Sequence, residues 1–163
     1  MIDRSAALSY GYCAGFICHH KVVAPSSAEA ARMSIKPSIA VVEDDDSVRE
    51  ATVGLLRSHG FIAKGFASAD AFLTSNRIRI TSCLIADVQM PNMSGLALYG
   101  HLMAAGAPIP TILITAYPDE TIRTRALNAG VTGYLTKPFS EQDLLDSIDA
   151  AAKHRASLAP VRH

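Results

Sequence analysis

The chain has 163 residues, which is the length of a single domain. With 49% hydrophobic and 18% charged residues, it is too apolar to be a disordered chain. Basic and acidic residues number 15 each, so the formal net charge is zero, and acids outnumber bases between residues 38 and 155. This balance argues against a nucleic-acid surface, which needs clustered basic side chains.

The number of cysteines and the hydropathy of the chain bear on the cellular compartment of the protein. The three cysteines, Cys13, Cys18 and Cys83, are too few for a disulfide framework and favour a reducing environment. No apolar run approaches the roughly 18 residues that span a bilayer. We therefore expect a cytoplasmic protein with no membrane partner.

Residues 1–36 show no sustained periodicity and are predicted to be an unstructured or poorly ordered N-terminal extension. The segment contains two cysteines and two adjacent histidines, Cys13, Cys18, His19 and His20. These could bind a metal in principle, but their spacing fits none of the common zinc patterns. Met33 is a candidate for an alternative start of translation.

Short apolar runs and helical patterns alternate from residue 38 onward. The predicted strands are Ser38–Val42, Phe61–Phe66, Cys83–Ala86, Thr111–Ile114 and Thr132–Thr136. The predicted helices begin at Ser47, Ser68, Ser94, Asp119 and Ser140. Five such β-α units predict an α/β fold, a doubly wound parallel sheet with helices on both faces.

The first and last helices have predictable caps and inner faces. Ser47 and Glu50 form the sequence pattern of a capping box, and Gly60 ends the first helix. Helical spacing predicts these inner faces: Val48, Ala51, Leu55 and His59 for the first helix, and Leu144, Leu145, Ile148, Ala151 and Ala152 for the last.

Polar residues follow four of the five strands. Strand one is followed by acids beginning with Glu43 and Asp44, strand three by Asp87, strand four by Thr115 and strand five by Lys137. Because ligands bind outside the carboxyl ends of parallel strands, these groups should converge at one edge of the sheet. Neighbouring carboxylates repel unless a cation compensates them, and an all-oxygen acidic site suits Mg²⁺.

Asp87 stands alone at the end of strand three and is a candidate nucleophile. A carboxylate can accept a phosphoryl group as an acyl phosphate, and such transfer depends on positioning and charge neutralisation. Lys137 can hold a carboxylate and later a phosphoryl oxygen. The backbone carbonyl of Gln89 could offer the metal one more oxygen.

These motifs together resemble a known family. The pattern Glu43-Asp44, Asp87-x-x-Met90-Pro91-x-x-Ser94-Gly95, Thr115-Ala116 and Lys137-Pro138-Phe139 is similar to the receiver domain of two-component response regulators, especially the FixJ-type branch. The resemblance implies a receiver domain over residues 37–156, with strand order 2-1-3-4-5 and a short tail over residues 157–163. Because so few residues follow, we expect a stand-alone receiver.

The resemblance also implies a role for each site residue. Asp87 is the phosphoacceptor, Asp44 a direct Mg²⁺ ligand, Glu43 a ligand acting through water, and Gln89 a ligand through its carbonyl. Thr115 then hydrogen-bonds the phosphoryl group and Lys137 pairs with it. Tyr134 is the switch aromatic that turns inward when Thr115 moves, and the Lys137–Pro138 peptide bond is expected to be cis.

The implied function is phosphorylation-gated signalling rather than enzymatic turnover. A histidine kinase or phosphotransfer protein donates the phosphoryl group to Asp87. The face made by the fourth helix, fifth strand and fifth helix then changes its packing and binds a downstream protein partner or a second copy of the domain. No direct contact with nucleic acid is expected.

Other interpretations remain open at this point. A haloacid-dehalogenase-type phosphatase needs an aspartate two positions after the nucleophile, where this chain has Gln89. A flavin or nucleotide carrier needs a glycine-rich phosphate loop after the first strand. A degenerate receiver would bind its partner without phosphorylation. Individually, Asp87 could be a turn residue, Tyr134 could be strand packing, and Arg123 and Arg125 could be a solvated helix face or a partner contact.

Overall fold

We analysed a computed structural model that describes residues 36–158, with side chains to residue 156. The strands are β1 (Ser38–Val42), β2 (Ile62–Phe66), β3 (Cys83–Asp87), β4 (Thr111–Thr115) and β5 (Gly133–Thr136). The helices are α1 (Asp46–Ser58), α2 (Ala69–Leu73), α3 (Gly95–Ala104), α4 (Glu120–Ala129) and α5 (Glu141–Leu158). The predictions for residues 1–35 and 159–163 lie outside the described residues.

The five strands form one parallel sheet in the order β2-β1-β3-β4-β5, which confirms the predicted fold class. The register of strand pairing aligns the carboxyl ends of the central strands. Val42 pairs with Ala86, Asp87 with Ile114 and Thr115 with Thr136. The residues that follow β1, β3 and β5 therefore leave the sheet at the same edge.

The core has two layers, one on each face of the sheet. Strands β3 and β4 are buried along their whole length, so their side chains feed both layers. One layer joins alternate strand residues to α2, α3 and α4 through Phe72, Leu98, Leu102 and Ala126. The other joins them to α1 and α5 through Leu56, Leu144, Ile148 and Ala151. This two-sided burial explains the continuous apolar runs of the strands.

Helix α1 has a different cap from the predicted one, two residues earlier in the chain. Asp45 is the N-cap, and its Oδ1 accepts a hydrogen bond from the Val48 amide at 3.0 Å. The capping box predicted from Ser47 and Glu50 is therefore wrong. An aspartate satisfies the first free amides of a helix as well as a serine does, and Asp45 comes first in the chain.

The inner face of α1 also differs from the prediction. Thr52, Val53 and Leu56 are buried, whereas Ala51 and His59 are exposed. Burial of Thr52 is tolerated because its hydroxyl donates to the Val48 carbonyl at 2.8 Å.

In α5, the buried residues are Leu144, Ile148 and Ala151, as predicted, and Leu145 is partly buried. Ala152 is exposed, so its predicted place on the inner face is wrong. Within residues 36–158, no helix is both long and apolar enough to cross a bilayer.

Candidate functional site

Three carboxylates and one ammonium meet where β1, β3 and β5 end. Lys137 Nζ donates to Glu43 Oε2 and to Asp87 Oδ2, each at 2.7 Å. Ligand atoms of Glu43, Asp44 and Asp87 all lie within 4.8 Å of one another. The edge of the sheet therefore gathers side chains that are 50 and 94 positions apart in the chain.

Burial makes this cluster electrostatically demanding. The side chains of Glu43 and Asp87 are only 7% and 9% exposed. Burial raises the pKa of the Glu43 carboxyl, the Lys137 hydrogen bond opposes this rise, and the charge of Asp87 adds to it. Burial also acts to lower the pKa of the Lys137 ammonium, but its hydrogen bonds to Asp87 and Glu43 prevail and raise that pKa. Lys137 is thus held as a cation between two acids.

The loop after β3 orients the second oxygen of Asp87. The Gln89 amide donates to Asp87 Oδ1 at 2.7 Å, so both carboxylate oxygens have partners. The chain then passes Asn92 at a φ of 67° and returns to Gly95. A β-carbon at Gly95 would stand 2.3 Å from the Asp87 carbonyl oxygen, so this close return requires glycine.

Thr115 is buried at the end of β4, but its hydroxyl bonds to the loop that follows. Thr115 Oγ1 donates to the Tyr117 carbonyl and accepts from the Tyr117 amide, both at 3.1 Å. The Tyr117 side chain is 70% exposed. Thr115 is thus on the predicted edge with its hydroxyl turned to Tyr117, not to Asp87.

Tyr134 lies on β5 opposite Leu113 and packs partly against the core layer of α2, α3 and α4. Its hydroxyl oxygen is buried and makes no hydrogen bond among the described residues. Burial raises the pKa of this phenol. The nearby charge of Asp119 adds to the rise, and that of Arg123 opposes it. Tyr134 therefore lies near Asp119, the N-cap of α4.

The predicted site is thus gathered in large part. Glu43, Asp44, Asp87 and Lys137 come together, with the Gln89 backbone beside them. The Lys137–Pro138 peptide bond is cis, as expected. Arg123 is exposed and pairs with Glu120 at 3.1 Å, which fits a solvated helix face.

Sequence reasoning missed one contact of the site. Arg49 Nη1 donates to the Glu43 carbonyl at 2.8 Å, and Nη2 pairs with Asp46. The signal for it was a charged pair at helical spacing, Asp46 and Arg49, next to the acidic loop.

Comparison with known families assigns this arrangement. Residues 39–149 match the response regulator receiver domain. The chain belongs to this family. The match includes residues of all five strands and the four groups at their ends, so the receiver fold and the predicted family are both confirmed.

Several curated regulators resemble this receiver domain. It is 44% identical over 115 residues to the response regulator protein TmoT of Ectopseudomonas mendocina, covering 71% of this chain and 52% of TmoT. It is 35% identical over 111 residues to the transcriptional regulatory protein FixJ of Azorhizobium caulinodans, covering 68% and 53%. The receiver thus spans about half the length of the curated relatives it matches.

Solved structures agree with this assignment. The response regulator StyR superposes with a TM-score of 0.69 at 43% identity, covering 76% of this chain and 62% of StyR. FixJ-N superposes with a TM-score of 0.67 at 30% identity, covering 74% and 96%. The chain is therefore similar to response regulators in sequence and in fold, which agrees with its assignment as a receiver domain of two-component systems.

Proposed function

We propose that this chain is a phosphorylation-gated signalling module in which Asp87 accepts a phosphoryl group from a histidine kinase or a phosphotransfer protein. The observation that carries the proposal is the setting of the Asp87 carboxylate. One oxygen accepts from Lys137 and the other from the Gln89 amide, beside two further acids. A carboxylate oxygen attacks phosphorus, the bond from phosphorus to the imidazole nitrogen of the donor breaks, and the imidazole leaves with that electron pair.

The acidic cluster fits a magnesium ion. Its donors are all oxygens, and they already lie within 4.8 Å of one another. We assign Asp44 and Asp87 as direct ligands, Glu43 as a ligand through water, and the Gln89 carbonyl as a further oxygen. When bound, the ion neutralises negative charge on the incoming phosphoryl group.

The chain's own residues then respond to the new charge. Phosphorylation adds about −1.5 to −2 charges and strong acceptor oxygens at residue 87. Lys137 exchanges a carboxylate oxygen for a phosphoryl oxygen, and the Thr115 hydroxyl leaves the Tyr117 backbone for the same group. Tyr134 follows Thr115, which alters the packing between β5 and α4.

The output surface in this proposal is the face formed by α4, β5 and α5. It binds a downstream protein, or a second copy of the domain after phosphorylation, without contact to nucleic acid. Tyr134 supports this assignment because its partly buried ring packs against the core layer to which α4 contributes Ala126. We also propose that residues 37–156 act as a receiver in the cytoplasm, with no turnover beyond slow loss of the phosphoryl group.

The proposal is tested by incubating the full chain with Mg²⁺ and acetyl phosphate and measuring its intact mass. We expect one added phosphoryl group on the wild type, none on Asp87→Asn, and wild-type behaviour of Asp149→Asn, which changes an exposed aspartate of α5. Absence of the adduct from folded wild type would favour a degenerate receiver. Steady hydrolysis of a phosphomonoester would favour the phosphatase.

A further inference from the structure

Arg49 is a charged side chain that the fold has largely enclosed. It lies one turn into α1, and its side chain is only 15% exposed. Instead of extending into water, the guanidinium turns back to the β1–α1 loop. There Nη1 donates to the Glu43 carbonyl at 2.8 Å and Nη2 pairs with the Asp46 carboxylate.

These contacts hold the part of the chain that carries the two acids of β1. The Glu43 amide donates to the Phe66 carbonyl at 3.1 Å, so the residue is held on its other side by the end of β2. The Glu43 carbonyl belongs to the peptide plane that leads into Asp44. Because that plane is rigid, fixing its oxygen restricts the direction in which the Asp44 side chain leaves the backbone.

The neighbouring strand leaves room for the stem of Arg49. A β-carbon at Gly65 of β2 would stand 2.9 Å from Cγ and 3.0 Å from Cδ of Arg49. Gly65 lies within β2 and pairs with Val41 of β1, and glycine has a low intrinsic preference for the interior of a strand. The close approach of Arg49 gives a physical reason for glycine at this position.

We propose that Arg49 is a positioning residue for the divalent-cation site, and that Gly65 provides the space it needs. The inference rests on the proposed function, since it assigns the cation to Glu43, Asp44 and Asp87. Arg49 acts through the backbone and does not touch the ion. Residues that orient metal ligands in this way typically change metal affinity by about 10- to 100-fold when they are replaced.

The direction of the effect separates positioning from simple electrostatics. Removing a positive charge near a cation site would tighten cation binding by Coulomb's law alone. Loss of positioning weakens it. We therefore expect Arg49→Ala to bind a divalent cation about ten-fold more weakly. Arg49→Lys keeps the charge, but a single ammonium replaces the two guanidinium nitrogens that donate to the Glu43 carbonyl and to Asp46. This variant should therefore also bind the divalent cation more weakly.

The experiment measures Mn²⁺ binding to the full chain by electron paramagnetic resonance, with far-UV circular dichroism to establish folding. As a single change, Gly65→Ala should weaken Mn²⁺ binding because its β-carbon displaces Arg49. Combined with Arg49→Ala, it should cause little further loss of Mn²⁺ affinity. The control is Gly54→Ala, which lies on the same helix as Arg49. A β-carbon there meets no atom within 4 Å, so this variant should leave Mn²⁺ affinity unchanged.

Each result decides between the two proposals. Weaker Mn²⁺ binding by Arg49→Lys and Gly65→Ala, without additivity in the double variant, supports the positioning role. Unchanged or tighter binding by the Arg49 variants overturns that role and leaves the proposed function standing. Failure of folded wild type to bind Mn²⁺ overturns both. If Arg49→Ala does not fold, Arg49→Lys and Gly65→Ala decide the outcome.

Discussion

Replacing Lys137 with methionine tests the electrostatic centre of the site. The change keeps an apolar stem of similar length but removes the ammonium that donates to Glu43 and Asp87 at 2.7 Å each. Two nearly buried carboxylates would then face each other without this cation. We expect the variant to fold less stably at neutral pH and to regain stability in acid.

The size of the loss follows from burial and geometry. A hydrogen bond to a charged group contributes about 1.5–3 kcal/mol, and removing one partner of a buried ion pair typically costs about 3–5 kcal/mol. Lys137 is itself 21% exposed, so water screens part of the interaction. We therefore expect a loss of about 3 kcal/mol at pH 7.5, a large share of the stability of a small domain.

The pH dependence has a definite sign. Burial and the neighbouring Asp87 already raise the pKa of Glu43, and the variant loses the Lys137 contribution that opposes them. A carboxyl whose pKa is higher in the folded state binds its proton more tightly there. The deficit therefore appears as pH rises through the folded pKa and disappears below the unfolded value, about pH 4.3.

Urea unfolding followed by far-UV circular dichroism measures this loss, because the chain has no tryptophan. The control is Lys153→Met, an exposed lysine of α5, which should change stability by less than about 0.5 kcal/mol. A deficit for Lys137→Met that equals the control, or that does not shrink between pH 7.5 and pH 5, would refute the reasoning.

Three further predictions concern the loop after β3 and the core. Gly95→Ala should destabilise the fold by about 3 kcal/mol in urea, because its β-carbon would press against the Asp87 carbonyl oxygen. Tyr99→Phe should cost about 1 kcal/mol in thermal unfolding, because its hydroxyl donates to the Ala129 carbonyl at 3.0 Å. With the other two cysteines changed to serine, Cys83 should react with a thiol reagent at pH 8 only as the fold opens, since burial raises its pKa to about 12.

The first two of these predictions have matched controls. Gly100→Ala lies on the same helix as Gly95 with no atom within 4 Å, and should stabilise by up to about 1 kcal/mol. Tyr117→Phe changes an exposed ring and should be close to neutral. The first prediction is contradicted if Gly95→Ala loses no more stability than Gly100→Ala. The second is contradicted if Tyr99→Phe loses no more stability than Tyr117→Phe. The third is contradicted if Cys83 is labelled faster than the chain unfolds.

Most of the fold was accessible from the sequence because strands and helices leave different periodicities. Cys83–Ala86 and Thr111–Ile114 are continuous apolar runs, and both proved to be central strands buried on two faces. Errors arose where the pattern allowed two answers. Helix α1 carries apolar residues on two overlapping stripes. Its packing on β1 and β2 decided which stripe is buried, the one that contains Val53 and Leu56.

The sequence by itself determined which groups reach the carboxyl edge, because each one directly follows a strand of a parallel sheet. The tertiary structure alone decided how they meet. Lys137 pairs with Glu43 and Asp87 at once, and the Thr115 hydroxyl turns to Tyr117. Arg49 donates to the Glu43 carbonyl while its stem passes close to Gly65. Such contacts depend on strand register, loop path and the space between neighbouring elements, and local periodicity carries no information about these.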